Sequence, residues 1–139
     1  MSHISKIEVQ IKSLEDLKEA CQQLGFQFME NQQNFKWYGE WIGDSPLPEG
    51  MKVEDIGKCD HAIRIKGCDY EIGVIKRDNH YQLFWDNWYR GGLKKAIGKD
   101  AGVIKQAYST AKIRKEAKLK GYKVIQKKLD QNIRLILTR

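Results

Sequence analysis

The sequence predicts an α+β fold: a mostly antiparallel sheet with two helices packed on one face. Three observations carry this. Apolar residues alternate with polar ones in short runs at 6–12, 62–66, 70–74 and 81–85, the mark of half-buried strands. Two other stretches, 14–24 and 103–119, repeat their apolar residues at helical spacing. The strands also come in a run between the helices rather than alternating one for one with them, which favours antiparallel pairing. At 139 residues the chain suits a single domain over 1–139. The order strand–helix–strands occurs in both halves and hints at an internal β-α-β duplication, although the residues themselves do not repeat.

Each element has its own local reason. Ile7, Val9 and Ile11 alternate with charged and polar neighbours and form the first predicted strand. Ser13, with Asp16 three residues on, is placed to cap a helix that carries Leu14, Leu17, Cys21 and Leu24 on one side and ends at Gly25. Phe26 and Phe28 open a second strand, and 31–34 reads as a polar turn. Phe35, Trp37, Tyr38 and Trp41 predict a third, aromatic strand. Pro46 and Pro48 make 43–50 a loop, and 51–60 continues it or forms a short helical turn. Residues 62–86 then read as an antiparallel meander, with turns at 67–69 and 77–80. Gly91 and Gly92 end the sheet. Residues 93–120 are mostly helical, interrupted near Gly98 and Gly102, with a firm helix over 103–119 capped by Gly121. A final hairpin pairs Tyr122, Val124 and Gln126 with Ile133, Leu135 and Leu137 around 130–132.

Composition excludes several classes. Hydrophobic residues make up 41% and charged residues 31%, and there are 2 prolines, a profile unlike that of a disordered tail or a collagen. No run of 18 apolar residues is present, so no membrane span is expected. The three cysteines are odd in number and no secretory leader is visible, which predicts free thiols in a reducing cytoplasm, with a plastid stroma or an infected-cell cytoplasm as variants. The net charge is +7, unevenly spread. Residues 1–89 hold 10 basic and 15 acidic side chains, and residues 90–139 hold 15 and 3. That polarity favours an anionic partner near the C-terminal part; a solvated lysine-rich face is the plain alternative.

Three segments together carry a family resemblance. They are Met1-Ser2-His3-Ile4 running into a strand and a helix ended by Leu24-Gly25; the turn from Trp85-Asp86-Asn87 to Gly91-Gly92; and the tail containing Tyr108-Ser109-Thr110-Ala111, Glu116-Ala117, Gly121-Tyr122-Lys123-Val124 and Ile133-Arg134-Leu135-Ile136-Leu137. The chain resembles the small bacterial and plastid family called domain of unknown function 1257, which includes the plastid ycf thirty-five proteins, over nearly its whole length. The resemblance implies an intracellular protein with no catalytic motif to carry over and an association with AAA-type ATPases. The chain departs from the family in an acidic, proline-bearing loop around 43–60. It also has Asp130-Gln131 where relatives show Asp-Gly in the last turn.

Chemistry-bearing residues are sparse. Cys59, His61 and Cys68 supply zinc-type ligands, but only three at irregular spacing and without Cys-x-x-Cys; the plain reading is two unreactive thiols in a loop and a turn. Cys21 lies on the apolar stripe of the first helix and reads as a packed hydrophobe. No nucleotide-binding fingerprint or phosphate loop is present. Gly91, Gly92, Gly98 and Gly102, with Lys94, Lys95 and Lys99 among them, could cradle a phosphate or simply form a solvated connection. No cofactor is expected.

The leading functional reading is a non-enzymatic binding protein whose basic C-terminal face meets nucleic acid. Lys105, Lys112, Arg114, Lys115 and Lys118 on the long helix, followed by Lys123, would form one cationic stripe on the phosphate backbone. Trp88, Tyr89 and Arg90 would stack on single-stranded bases. The competing reading is a protein adaptor anchored by the aromatic turn at 85–92, with an AAA-type ATPase as the partner the resemblance implies. A small enzyme or metal protein is the third.

Overall fold

The structure is a computed structural model that describes residues 3–7, 10–41, 43, 46–49, 51–98, 100–129 and 132–138. It is an α+β fold. Five strands, β1 (Ile4–Lys6), β2 (Gln27–Met29), β3 (His61–Arg64), β4 (Ile72–Lys76) and β5 (Tyr81–Asp86), form an antiparallel sheet in the order β1-β5-β4-β3-β2. Helices α1 (Leu14–Leu24), α2 (Leu93–Ile97) and α3 (Gly102–Leu119) follow the chain order, and β6 (Lys123–Leu129) and β7 (Asn132–Thr138) pair in a separate two-stranded sheet.

The meander was legible because its strands alternate. In β4 and β5, Ile72, Val74, Leu83 and Trp85 point to the helical side and are fully buried there with Leu17, Ala20 and Cys21 of α1 and Ile104 of α3. Burial of this kind contributes about 25 cal/mol per Å2 of apolar surface removed from water. The helix α1 begins and ends as its residues predict: Ser13 accepts from the Asp16 amide at 3.1 Å, and Gly25 adopts φ 75°. The Tyr108 hydroxyl accepts from the amides of Lys12 and Ser13 at 3.1 and 3.2 Å, tying α3 to the start of α1.

Four expectations need correction. The first strand is shorter and earlier than 7–11: β1 ends at Lys6, the Ile7 amide still bonds Leu83, and Ile11 rejoins β5 opposite Tyr81. Ile4 pairs Asp86 and Ile11 pairs Tyr81, so the register moves by two residues between them, which keeps both Ile7 and Ile11 buried on the helical side. The second correction concerns 35–41, which is not a strand. Only Asn34 makes an isolated bridge, to Lys58. Phe35, Trp37 and Trp41 instead pack onto the second face of the sheet with Leu47, Met51 and Ile56, over Ala62 and Phe84. Aromatic alternation there reflects anchoring from a loop, not a pleated strand. The segment 51–60 contains a 3-10 turn at Val53–Asp55. The sheet is therefore covered on both faces, by helices and by a long loop.

Third, Gly98 separates α2 from α3, but Gly102 begins α3 instead of breaking it. Fourth, the two halves share an order of elements but not equivalent places. β1 and β2 are the two edges of the main sheet, whereas β6 and β7, among the described residues, pair only with each other. The predicted turn at Asp130-Gln131 lies outside the described residues, as does Lys99. Among the described residues, no helix is long and apolar enough to cross a membrane.

Candidate functional site

The most organised surface feature grows from one buried carboxylate. Asp86, the last residue of β5, is fully buried. Its Oδ1 accepts from the amides of His3 (2.9 Å) and Trp88 (3.0 Å), and its Oδ2 accepts from the amide of Tyr38 (3.1 Å). A buried carboxylate is tolerated when backbone donors surround it in this way. The three bonds draw together segments far apart in sequence and set the Tyr38 ring edge-on against Trp88, with ring centroids 4.8 Å apart. Trp88 in turn meets Tyr89 edge-on at 6.0 Å.

Arg90 completes the group. Its guanidinium carbon lies 5.5 Å from the Trp88 ring centre and 5.9 Å from that of Tyr89, and its Nε donates to the Tyr89 hydroxyl at 3.3 Å. That hydrogen bond raises the guanidinium pKa further. No described carboxylate pairs with it. Tyr89 is 70% exposed, while Trp88 is half-buried. Gly91 is required beneath the turn, since a Cβ there would come within 2.0 Å of the Tyr70 ring. Burial, followed by the nearby Asp86 charge, raises the pKa of the Tyr70 phenol. Trp85 faces the core, as its alternation requires, with its indole N–H donating to Asn87 at 2.7 Å.

The cations do not form the predicted single stripe. At 100° per residue, Lys105 and Lys112 share one side of α3, whereas Arg114 turns toward the hairpin and donates to Gln126 at 3.3 Å. Lys115 faces the start of α1, 3.4 Å from Glu15 and 3.9 Å from Asp16. Lys118 and Lys123 are exposed on the last helical turn and on β6. The aromatic turn and the distal lysines are also apart. Tyr108 sits by Ser13, and Ile11 by Tyr81 at the start of β5, whereas Trp88 follows the end of β5, a six-residue strand spanning about 17 Å. The structure thus brings together Trp88, Tyr89 and Arg90, and separates them from Lys115, Lys118 and Lys123.

Sequence reasoning missed Asp86 and Tyr38. In the sequence Asp86 enters only as part of the Trp85-Asp86-Asn87 turn of the family resemblance, and Tyr38 as a strand residue. The only available signal was the compact Trp85-Asp86-Asn87 turn, an acidic residue immediately after the last core position.

The cysteine and histidine candidates are structural in geometry. The Cys59 thiol donates to the Gln32 carbonyl at 3.0 Å, and burial pushes its pKa up to about 12. The Asn31 amide donates to His61 Nδ1 at 2.9 Å. Cys68 lies instead against Gly92. Among the described residues, no three His, Cys, Asp or Glu side chains gather as a metal site. No family model, curated protein or solved structure matches the chain.

Proposed function

We propose that the protein is a non-enzymatic accessory protein that docks onto a protein partner through the Tyr38–Trp88–Tyr89–Arg90 surface. One observation carries this reading: an exposed tyrosine and an arginine with no described carboxylate partner gather against Trp88, whose amide is held by a fully buried aspartate. Aromatic and arginine side chains are the usual energetic anchors of protein interfaces, and a preformed anchor loses little freedom on binding. An AAA-type ATPase, the class implied by the resemblance to the domain of unknown function 1257 family, is the first partner to test. A photo-crosslinker at Tyr89, compared with one at Lys118, tests the docking. The expected result is a discrete protein adduct at 89 and none at 118. With the captured partner purified, Tyr89→Ala or Arg90→Ala should weaken binding by about 30-fold or more, the size of an interface hot spot. Unaltered affinity in both variants overturns the reading.

The exposed Lys112, Lys118, Lys120, Lys123 and Lys127 favour a second reading, contact with a nucleic-acid backbone. Its sign is affinity for single-stranded RNA or DNA that falls steeply as salt is raised, and that drops when Lys112, Lys118 and Lys123 are reversed in charge.

A further inference from the structure

A half-enclosed groove of about 730 Å3 runs between the helices and the C-terminal hairpin. Its apolar lining comes from Leu24 of α1, Ile97 of α2, Val103, Ala107 and Ala111 of α3, and Ile133 of β7. Gly98 and Gly102 leave its wall open: a Cβ on Gly102 would meet nothing within 4 Å, and one on Gly98 only the Gly102 amide nitrogen at 3.8 Å. The volume lies in the range of small-molecule pockets, about 300–1,000 Å3.

Arg114 lines the same groove. Its Nη1 donates to Gln126 Oε1 at 3.3 Å, while its Nε is buried and has no hydrogen-bond partner among the described residues. None of the described carboxylates pairs with it, and no acidic residue among the described ones lines the groove. Arg114 is half-buried, and among the described residues its guanidinium is held by one neutral amide and faced by no carboxylate. With Nε covered, the donors left for a carboxylate are those of the terminal Nη groups not held by Gln126.

We propose that this groove binds an amphiphilic monocarboxylate, with its carboxylate on Arg114 and its hydrocarbon chain along the apolar lining from Ala111 to Ile97. The site is separate from the aromatic surface and does not depend on its role. A single described cation in a half-closed cleft whose lining is mainly apolar, with Gln23, Gln106, Thr110 and Gln126 as its neutral polar members, fits one anionic head and one chain.

Titration calorimetry of the full chain with decanoate and with decyltrimethylammonium tests the proposal, because the two share a chain and differ in head charge. The expected result is one decanoate per chain with micromolar affinity, and no saturable binding of the cationic amphiphile. Arg114→Met should weaken decanoate at least about tenfold. Val103→Trp, which fills the groove from an exposed rim position, should abolish binding while circular dichroism stays unchanged. Decanoate binding that is absent, that has many sites per chain, or that is indifferent to both variants overturns the proposal; so does equal binding of the two amphiphiles. Binding of an acidic amphipathic peptide in the absence of decanoate binding would also overturn it and make the groove a peptide site.

Discussion

Asp86 does more at the residue scale than any side chain singled out by chemistry. It accepts three amide hydrogen bonds while fully buried, and hydrogen bonds to charged groups are worth about 1.5–3 kcal/mol each. Asp86→Ala is therefore expected to lower stability by about 3 kcal/mol or more in urea unfolding, because three donors lose their acceptor. Asp86→Asn keeps the shape but presents N–H groups to amide donors, so it should recover only part of that loss. The thiols offer a second test at this scale. Burial pushes Cys21 and Cys59 up to about 12 from 9.0, and it raises Cys68 by less. A folded pKa above the unfolded one gives a contribution to stability that is fully present below about pH 9 and is lost as pH rises toward 12. Alkaline unfolding should begin above pH 9. At pH 8 a thiol reagent should modify Cys68 first, with Cys21 and Cys59 reacting only at the rate of opening; rapid reaction of all three would contradict the packing.

At the scale of elements, the second face of the sheet explains both what the sequence shows and what it conceals. Strands β3, β4 and β5 were visible because Ile63, Ile72, Val74, Leu83 and Trp85 recur at every second position on the helical face, while Ala62, Ile75 and Phe84 serve the other face. The covering loop was not, because Phe35, Trp37 and Trp41 anchor it at a spacing that imitates a strand. Only the three-dimensional partner distinguishes the two cases: Phe35 lies over Gly73 of β4, where a Cβ would come within 2.3 Å of its ring. A glycine inside an otherwise apolar strand is the one-dimensional trace of that contact. Gly73→Ala should thus destabilise by about 1–3 kcal/mol through overpacking. Combining it with Phe35→Leu should cost less than the two separate losses together, a coupling that a double-mutant cycle measures directly. Additive losses would mean that the ring and the strand are independent. The caps were legible for the opposite reason, since they are local. Ser13→Ala should cost about 1 kcal/mol.

For the whole molecule, the C-terminal hairpin decides how the charge and the groove are presented. Helix α3 is covered by the sheet and α1 on one side and by the hairpin on another: Ile104, Ala107 and Ala111 are buried, and so is Ala117, whose carbonyl accepts from the Tyr122 amide at 3.0 Å. A helix flanked on two sides has no single polar face. That is why a stripe of cations read from sequence resolves into Lys105 and Lys112 in one direction, Arg114 in another and Lys115 against α1. The hairpin itself has few supports. Among the described residues its two strands pair only with each other, and Ile125 and Leu137 are 49% and 44% exposed. Isolated two-stranded sheets are marginal in water, so its persistence depends on α3 and on whatever fills the groove. Native-state hydrogen exchange should therefore find the amides of 123–127 and 133–137 opening roughly a hundredfold faster than those of β4 and β5, because the hairpin can open locally while the main sheet opens only with the whole fold. Equal protection across both sheets would show that the hairpin belongs to the same cooperative unit as the core.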